Sequence, residues 1–269
     1  MSTVRPPAVA GYFYPDDPAT LRATVEGYLA GGDDLPAQIP KAVVVPHAGY
    51  VYSGPVAATV YRLLLSARSR IRRVVLAGPA HRVPVQGVAL SPAAAFNTPL
   101  GAVDVDPDAD VLLNDLPQVS VSAPAHRHEH SLEVQLPFLQ ALFAGFRLVP
   151  LLFGRASPMA TAEVLSRLWG GDETLIVVSS DLSHYHDYET ARRVDADTTA
   201  AICALDYDRI GPSQACGCVA LGGLLVMAQR HALRVEALDV RNSGDTSGER
   251  DRVVGYGAYA FYGTSTHDA

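Results

Sequence analysis

The side chains in this chain best suited to chemistry are histidines, and they recur at one kind of place. His47 follows the run Lys41–Val45 (KAVVV) after a proline, and His81 follows Arg73–Leu76 (RVVL) in LAGPAH. Asp181 and His184 follow Thr174–Val178 (TLIVV) in SSDLSHYH. Imidazoles and carboxylates ligate metals and move protons near neutral pH. Taken singly, a histidine after a strand is more often a hydrogen-bonded loop residue than a ligand. Three strands that each deliver such a group at the same end form a pattern. Pro46 and the Gly78-Pro79 pair also fix the backbone beside two of them, as the positioning of ligands requires.

The cysteines add a thiol to this set. Cys216 and Cys218 stand in SQACGC, where an apolar helical run through Val219, Leu221, Leu224, Leu225 and Met227 opens. Exposed N–H groups at a helix start favour a thiolate, which makes Cys216 a candidate ligand or nucleophile. Cys218 is read as a small packed residue, and Cys203 as packing at the end of the preceding helix. A lone CxC pair does not make a structural zinc site, and three cysteines do not make a disulfide framework. The run His126–His130 (HRHEH) fits the H-x-x-E-H pattern of inverted zinc peptidases through His126, Glu129 and His130. That chemistry needs both histidines on one helical face. Helical apolar spacing begins only at Leu132, with Pro124 upstream, so the run is read as a loop leading into a helix and the match as chance. His130, at that helix start, is its best-placed member for a role in a site.

The elements that must carry these groups alternate along the chain. KAVVV, RVVL, Gly87–Leu90, Phe146–Leu152, TLIVV, Arg234–Val240 and Val253–Tyr262 read as strands, several of them continuous apolar runs of the kind covered on both faces. Pro55–Ala67, Ser131–Phe143, Pro158–Trp169, Tyr188–Leu205 and Cys216–His231 have helical spacing. Such alternation predicts an α/β fold with a central, mainly parallel or mixed sheet flanked by helices. Ligands of open parallel sheets bind past the C-terminal ends of the strands, where the histidines and Asp181 fall. Gly31–Pro40 is the loosest stretch, but too little precedes it for a domain, so residues 1–269 are expected to form one.

Composition limits the functions open to the chain. Its 21 Lys and Arg against 28 Asp and Glu give a net charge of −7 with no basic run, which argues against general nucleic-acid binding. No apolar stretch reaches spanning length, and the amino-terminal MSTVRPPAVAGYFYP lacks the apolar core of a signal peptide. A cytoplasmic protein without membrane contact is the expectation.

Five segments occur in order: PHAGYVYSG at 46–54, GPAH at 78–81, HEHSLEVQLPFL at 128–139, SSDLSHY at 179–185 and ACG at 215–217. With VAGYFYP at 9–15 and the closing VVGYGAYAFY, they resemble the Memo (mediator of cell motility) family over nearly the whole chain. The resemblance implies a fold similar to that of the class III extradiol dioxygenases. It also implies a metal pocket in which His47, His81 and Cys216 are the ligands, a cysteine standing where those enzymes place a carboxylate. His184 matches the acid/base position, with Asp181 expected to hold its ring in one tautomer. Tyr52 is expected to line the pocket, and His130 and Tyr50 to contact a substrate.

A thiolate in place of a carboxylate shifts metal preference toward soft ions and makes the site oxidisable. The expectation is therefore a metal-dependent oxidoreductase or dioxygenase-like protein holding iron or copper, with zinc as a further option. The alternative is a non-enzymatic protein that uses the pocket to bind a peptide or small ligand, or, as the resemblance implies, a partner in a radical-SAM system of the kind that bacterial relatives tend to accompany. A zinc hydrolase is the third reading.

Overall fold

The computed structural model of the chain describes residues 3–31, 38–246 and 248–263. The loose stretch noted above therefore lies largely outside the described residues. The elements in chain order are β1 (Val4–Arg5), α1 (Pro18–Leu29), β2 (Ala42–Val45), α2 (Tyr50–Arg62), β3 (Arg73–Pro79) and β4 (Val88–Leu90). There follow β5 (Ala95–Thr98), β6 (Gly101–Asp104), α3 (Asp108–Leu113), β7 (Val119–Val121), α4 (Ala123–Arg127), α5 (Leu136–Leu142) and β8 (Arg147–Phe153). The last third holds α6 (Pro158–Arg167), β9 (Thr174–Ser179), β10 (His184–His186), α7 (Tyr188–Cys203), α8 (Cys218–Arg230), β11 (Arg234–Asn242) and β12 (Val253–Tyr262).

Nine strands form one sheet in the order β10-β12-β2-β9-β3-β8-β4-β7, with β11 also paired to β12. Its centre, β2-β9-β3-β8, is parallel, as the apolar runs predict. Its flanks are not. β12 runs antiparallel to β2, β10 and β11, and β4 runs antiparallel to β8. The sheet is thus mixed, with its parallel part where both faces are covered. Pleating splits β2 between the two faces: Val43 and Val45 pack toward α1, α2 and α5, whereas Ala42 and Val44 pack toward α6, α7 and α8. A second sheet of three strands, β1-β5-β6, was not expected from the sequence.

Two helices begin elsewhere than their spacing suggests. α2 starts at Tyr50 rather than Pro55, so the proline sits inside the helix and withholds one i→i−4 bond. The early start follows from Tyr50, which is 3% exposed and packs against Tyr14, Tyr28 and Phe138 while its hydroxyl donates to the Val134 carbonyl. In the Ser131–Phe143 segment regular α-helix begins only at Leu136. Residues 129–135 hold their polar side chains inward instead: Glu129, Ser131, Glu133 and Gln135 are all buried. α1 was missed, although Asp17 caps it by accepting from the Thr20 N–H and Leu21, Val25 and Leu29 form its buried stripe.

Glu133 ties the amino-terminal segment to this strap. Its carboxylate accepts from Arg5 at 2.7 Å, from the Ala8 and Val9 N–H groups and from the Tyr14 hydroxyl. Arg5 also donates to the carbonyls of His126 and Glu129, and both members of the pair are buried. Removing one partner of a buried pair strands the other charge. Arg5→Met is therefore expected to lower stability by roughly 3–5 kcal/mol, and Arg5→Met with Glu133→Gln by less than the single change. Urea unfolding of the three proteins checks this, and a loss under about 1 kcal/mol in the single variant would refute it.

His126 gives a pH dependence. It is 2% exposed, its Nε2–H donates to the Ala89 carbonyl, and burial lowers its pKa to about 4. Below pH ~6.5 the unfolded chain takes up a proton at this residue that the folded chain does not. Its contribution is thus complete above that pH and is lost as pH falls toward 4. The stability lost between pH 7 and 4.5 should shrink by on the order of 2 kcal/mol in His126→Gln, whose amide can keep the bond to Ala89. An unchanged loss would mean that His126 is already charged in the fold.

Candidate metal centre

β2, β9 and β3 are neighbours in the sheet, and the segments that leave their C-terminal ends carry the reactive groups. His47 comes two residues after β2, Ser179 ends β9 with Asp181 just beyond it, and His81 comes two residues after β3. Cys216 arrives from the turn before α8. One nitrogen each from His47 and His81 and the Cys216 sulfur lie within 4.8 Å of one another.

Hydrogen-bond counting sets the tautomer of His47. Its Nδ1 is 2.9 Å from the Ser179 hydroxyl. That hydroxyl has one proton, which it donates to the Ser131 carbonyl at 2.6 Å, and it accepts from the Gln135 amide at 2.8 Å. Ser179 can therefore only accept from His47, so Nδ1 carries the proton and Nε2 keeps its lone pair. Nε2 points at the Cys216 sulfur, 3.4 Å away. Burial lowers the His47 pKa to about 4, which leaves the ring neutral at neutral pH, as a ligand must be.

His81 has the same arrangement with a stronger partner. Its Nδ1 lies 3.0 Å from Glu129 Oε1, and its backbone N–H donates to Oε2 at 2.6 Å. The N–H groups of His130 and Ser131 donate to Oε1 as well. The His130 and His81 imidazoles and then the Ser131 N–H hold the carboxyl far below its ordinary pKa despite its burial, so it stays an anion and His81 donates from Nδ1. The second ring nitrogen of each histidine is thereby left free. Glu129 also lies with His81 and His130 in a ligand-like group. Its oxygens are already committed to four N–H donors, and His130 Nδ1, 3.2 Å away, makes no aligned hydrogen bond.

Cys216 is held by the backbone around Asp181. Its N–H donates to the Asp181 carbonyl, and its sulfur accepts from the Asp181 N–H at 3.3 Å. The Asp181 carboxylate accepts the His47 N–H at 2.7 Å, so one residue seats two of the candidate ligands. The following Gly217 donates to Ser180, and a Cβ there would lie 2.8 Å from the Ser179 carbonyl. The close approach of this turn to β9 requires glycine. The thiol itself departs from expectation: burial and then the Asp181 charge push its pKa up to about 12. α8 begins only at Cys218, so the helix start does not lower it. A bound cation would supply the opposite bias, since a coordinating thiol is deprotonated by the metal.

The three groups open into a cleft of about 510 Å³ lined also by His130, Asp181, His184, Tyr185 and Ser213. His184 Nδ1 pairs with the Leu182 carbonyl at 2.9 Å. The backbone two residues away, rather than Asp181, thus orients this ring, because Asp181 is turned toward His47. Tyr52 stands 39% exposed in the first turn of α2, while Tyr50 lies in the core. His126 faces Ala89 and α4 ends at Arg127, so His126, Glu129 and His130 do not share a helix face. The hydrolase reading of that run loses its geometry. Cys218 is half-buried, and Cys203, expected to be packed, is exposed. Ser179 and Glu129 are the site residues that sequence reading missed. The signal for Ser179 was a polar residue closing an apolar strand; for Glu129 it was a carboxylate beside a histidine cluster.

Comparison with known proteins agrees over the same span. A family model described as Memo-like protein matches residues 5–260. A MEMO1 family protein of Thermoplasma volcanium is 34% identical over 262 residues, covering 94% of this chain and 96% of its own. Others from Methanopyrus kandleri and Archaeoglobus fulgidus are 36% identical, each covering 96% of this chain and at least 98% of its own. The fold, the ordered segments and these matches place the chain in the Memo family.

Proposed function

We propose that the chain is a metal-dependent oxidoreductase-like protein with His47, His81 and Cys216 as ligands. The observation that carries this reading is the pair of committed Nδ1 atoms. Ser179 and Glu129 each occupy one nitrogen of a histidine, and the remaining nitrogens converge with a sulfur inside 4.8 Å. A carboxylate behind a ligating histidine raises its basicity and fixes its orientation, the arrangement common to metal-bound imidazoles. Two imidazoles and a thiolate suit copper, iron or zinc, and the softness of sulfur weighs against magnesium, calcium and manganese. An iron or copper ion held there would supply one-electron chemistry. The chain's own groups would do the rest on the cleft side. His184, with Nδ1 held by Leu182, presents Nε2 for proton transfer, and His130 and Ser213 contact the ligand. The exposed edge of Tyr52 is the remaining candidate from the first motif.

Anaerobically purified wild type is expected to hold on the order of one iron or copper per chain, and His47→Ala and Cys216→Ala negligible amounts. Elemental analysis of the three proteins decides this. Equal metal in all three, or none in wild type, removes the metal from the mechanism.

Glu129 supplies a finer test. Glutamine keeps its shape, but its NH₂ group would face N–H donors where an oxygen now accepts them. Glu129→Gln should weaken metal binding by roughly 10–100-fold while His81 itself is retained. Competition against a chelator of known affinity measures it. An unchanged affinity would show that His81 needs no carboxylate behind it.

A further inference from the structure

Next to the histidine-lined cleft lies a second one of about 660 Å³, which shares His81, Pro212 and Cys216 with it but has walls of another kind. Pro79, Ala80, Phe153 and Val219 make it mainly apolar, and no carboxylate lines it. Arg155 lies on it, exposed, and among the described residues its guanidinium has no hydrogen-bond or ion-pair partner. Two helices also begin there. Ser157 lines the cleft and its hydroxyl already accepts the Ala160 N–H as the N-cap of α6, whereas α8, whose first residue Cys218 also lines the cleft, has in its N-cap Gly217 no side-chain acceptor. The amino-terminal ends of helices favour negative charge. A free guanidinium and two helix starts around an apolar hollow therefore present one sign of charge and a place for hydrocarbon.

We propose that this second cleft binds a small amphipathic anion, an aliphatic carboxylate whose chain lies on Phe153 and Val219 and whose charge is met by Arg155. A cationic occupant would be repelled by Arg155 and by the helix ends, and a neutral one would bind through its hydrocarbon alone and leave Arg155 unpaired. The cleft reaches His81 and Cys216, so such an occupant lies beside the metal centre. Only that last step rests on the metal reading; binding itself does not.

The test uses the metal-free full chain and hexanoate, hexan-1-ol and hexylamine as calorimetric probes. Hexanoate is expected to saturate one site, hexylamine not to bind, and each added methylene of the acid to tighten binding about fourfold until the cleft is filled. Arg155→Gln, an exposed change, should weaken hexanoate at least about tenfold and leave hexanol unaltered. Val219→Trp should abolish both. Hexanoate binding that is absent, matched by hexylamine or unchanged in Arg155→Gln overturns the proposal. If wild type holds no metal yet the Arg155-dependent binding persists, the metal reading fails and this one stands.

Discussion

The buried polar side chains of residues 129–135 cross the ends of three strands, and the positions of both candidate histidine ligands can be traced to them. Glu129 holds the backbone and ring of His81 beyond β3. Ser131 donates to the Pro79 carbonyl and accepts from Ser179 at the end of β9. Gln135 donates to the Pro46 carbonyl beside His47 and to Ser179, and its oxygen accepts from Tyr61. Glu133 anchors the strap to Arg5 and the amino-terminal turn. Alternate residues thus face inward, and between them they find partners at β2, β3, β9, α2 and the amino-terminal segment. A segment with so many buried polar atoms holds together only because nearly all of them are satisfied.

This network prepares the ligands in opposite ways. Both histidines have Nδ1 committed to a partner and the other nitrogen turned to the cleft, and His47, neutral through burial, needs no change in its proton count to donate a lone pair. The thiol does need one: its burial next to Asp181 favours the neutral form. Were such a group to take up a cation, the proton released would come from the Cys216 sulfur rather than from the His47 ring. The same Asp181 that disfavours the thiolate also holds the His47 N–H, so its charge is retained for geometry at some expense to the thiol.

Much of the frame could be read in the sequence because it rests on local signals. KAVVV, RVVL and TLIVV are short β-branched runs bounded by turn residues, and each forms a central parallel strand. That position explains why groups trailing the strands could be assigned to one edge. The start of α2 was hidden, because Pro55 suggests a boundary and only the packing of Tyr50 shows otherwise. The small sheet of β1, β5 and β6 depends on a pairing between Val4 and Ala95, and no local pattern announces it. The partners of Glu129 and Ser179 lie some 48 residues away in the chain, so their roles depend on the completed fold. His184 failed in detail for the same reason: proximity to Asp181 in sequence suggested a contact that the turn directs elsewhere.

The strap also bears on why a polar arrangement persists where an apolar one would pack well. Replacing both partners of a buried hydrogen bond with apolar groups of similar shape is often neutral or stabilising. Stability alone therefore does not require Ser179, Gln135 and Ser131 to be polar. Their combined effect is to leave Ser179 without a proton for His47, and no apolar set could impose that tautomer. The HRHEH segment is best understood in the same way. Its spacing imitates a helical zinc motif, yet its carboxylate is turned to a histidine that the motif does not contain, His81. The residues that look most like a metal site by themselves act here as the support of a candidate one assembled from three other parts of the chain.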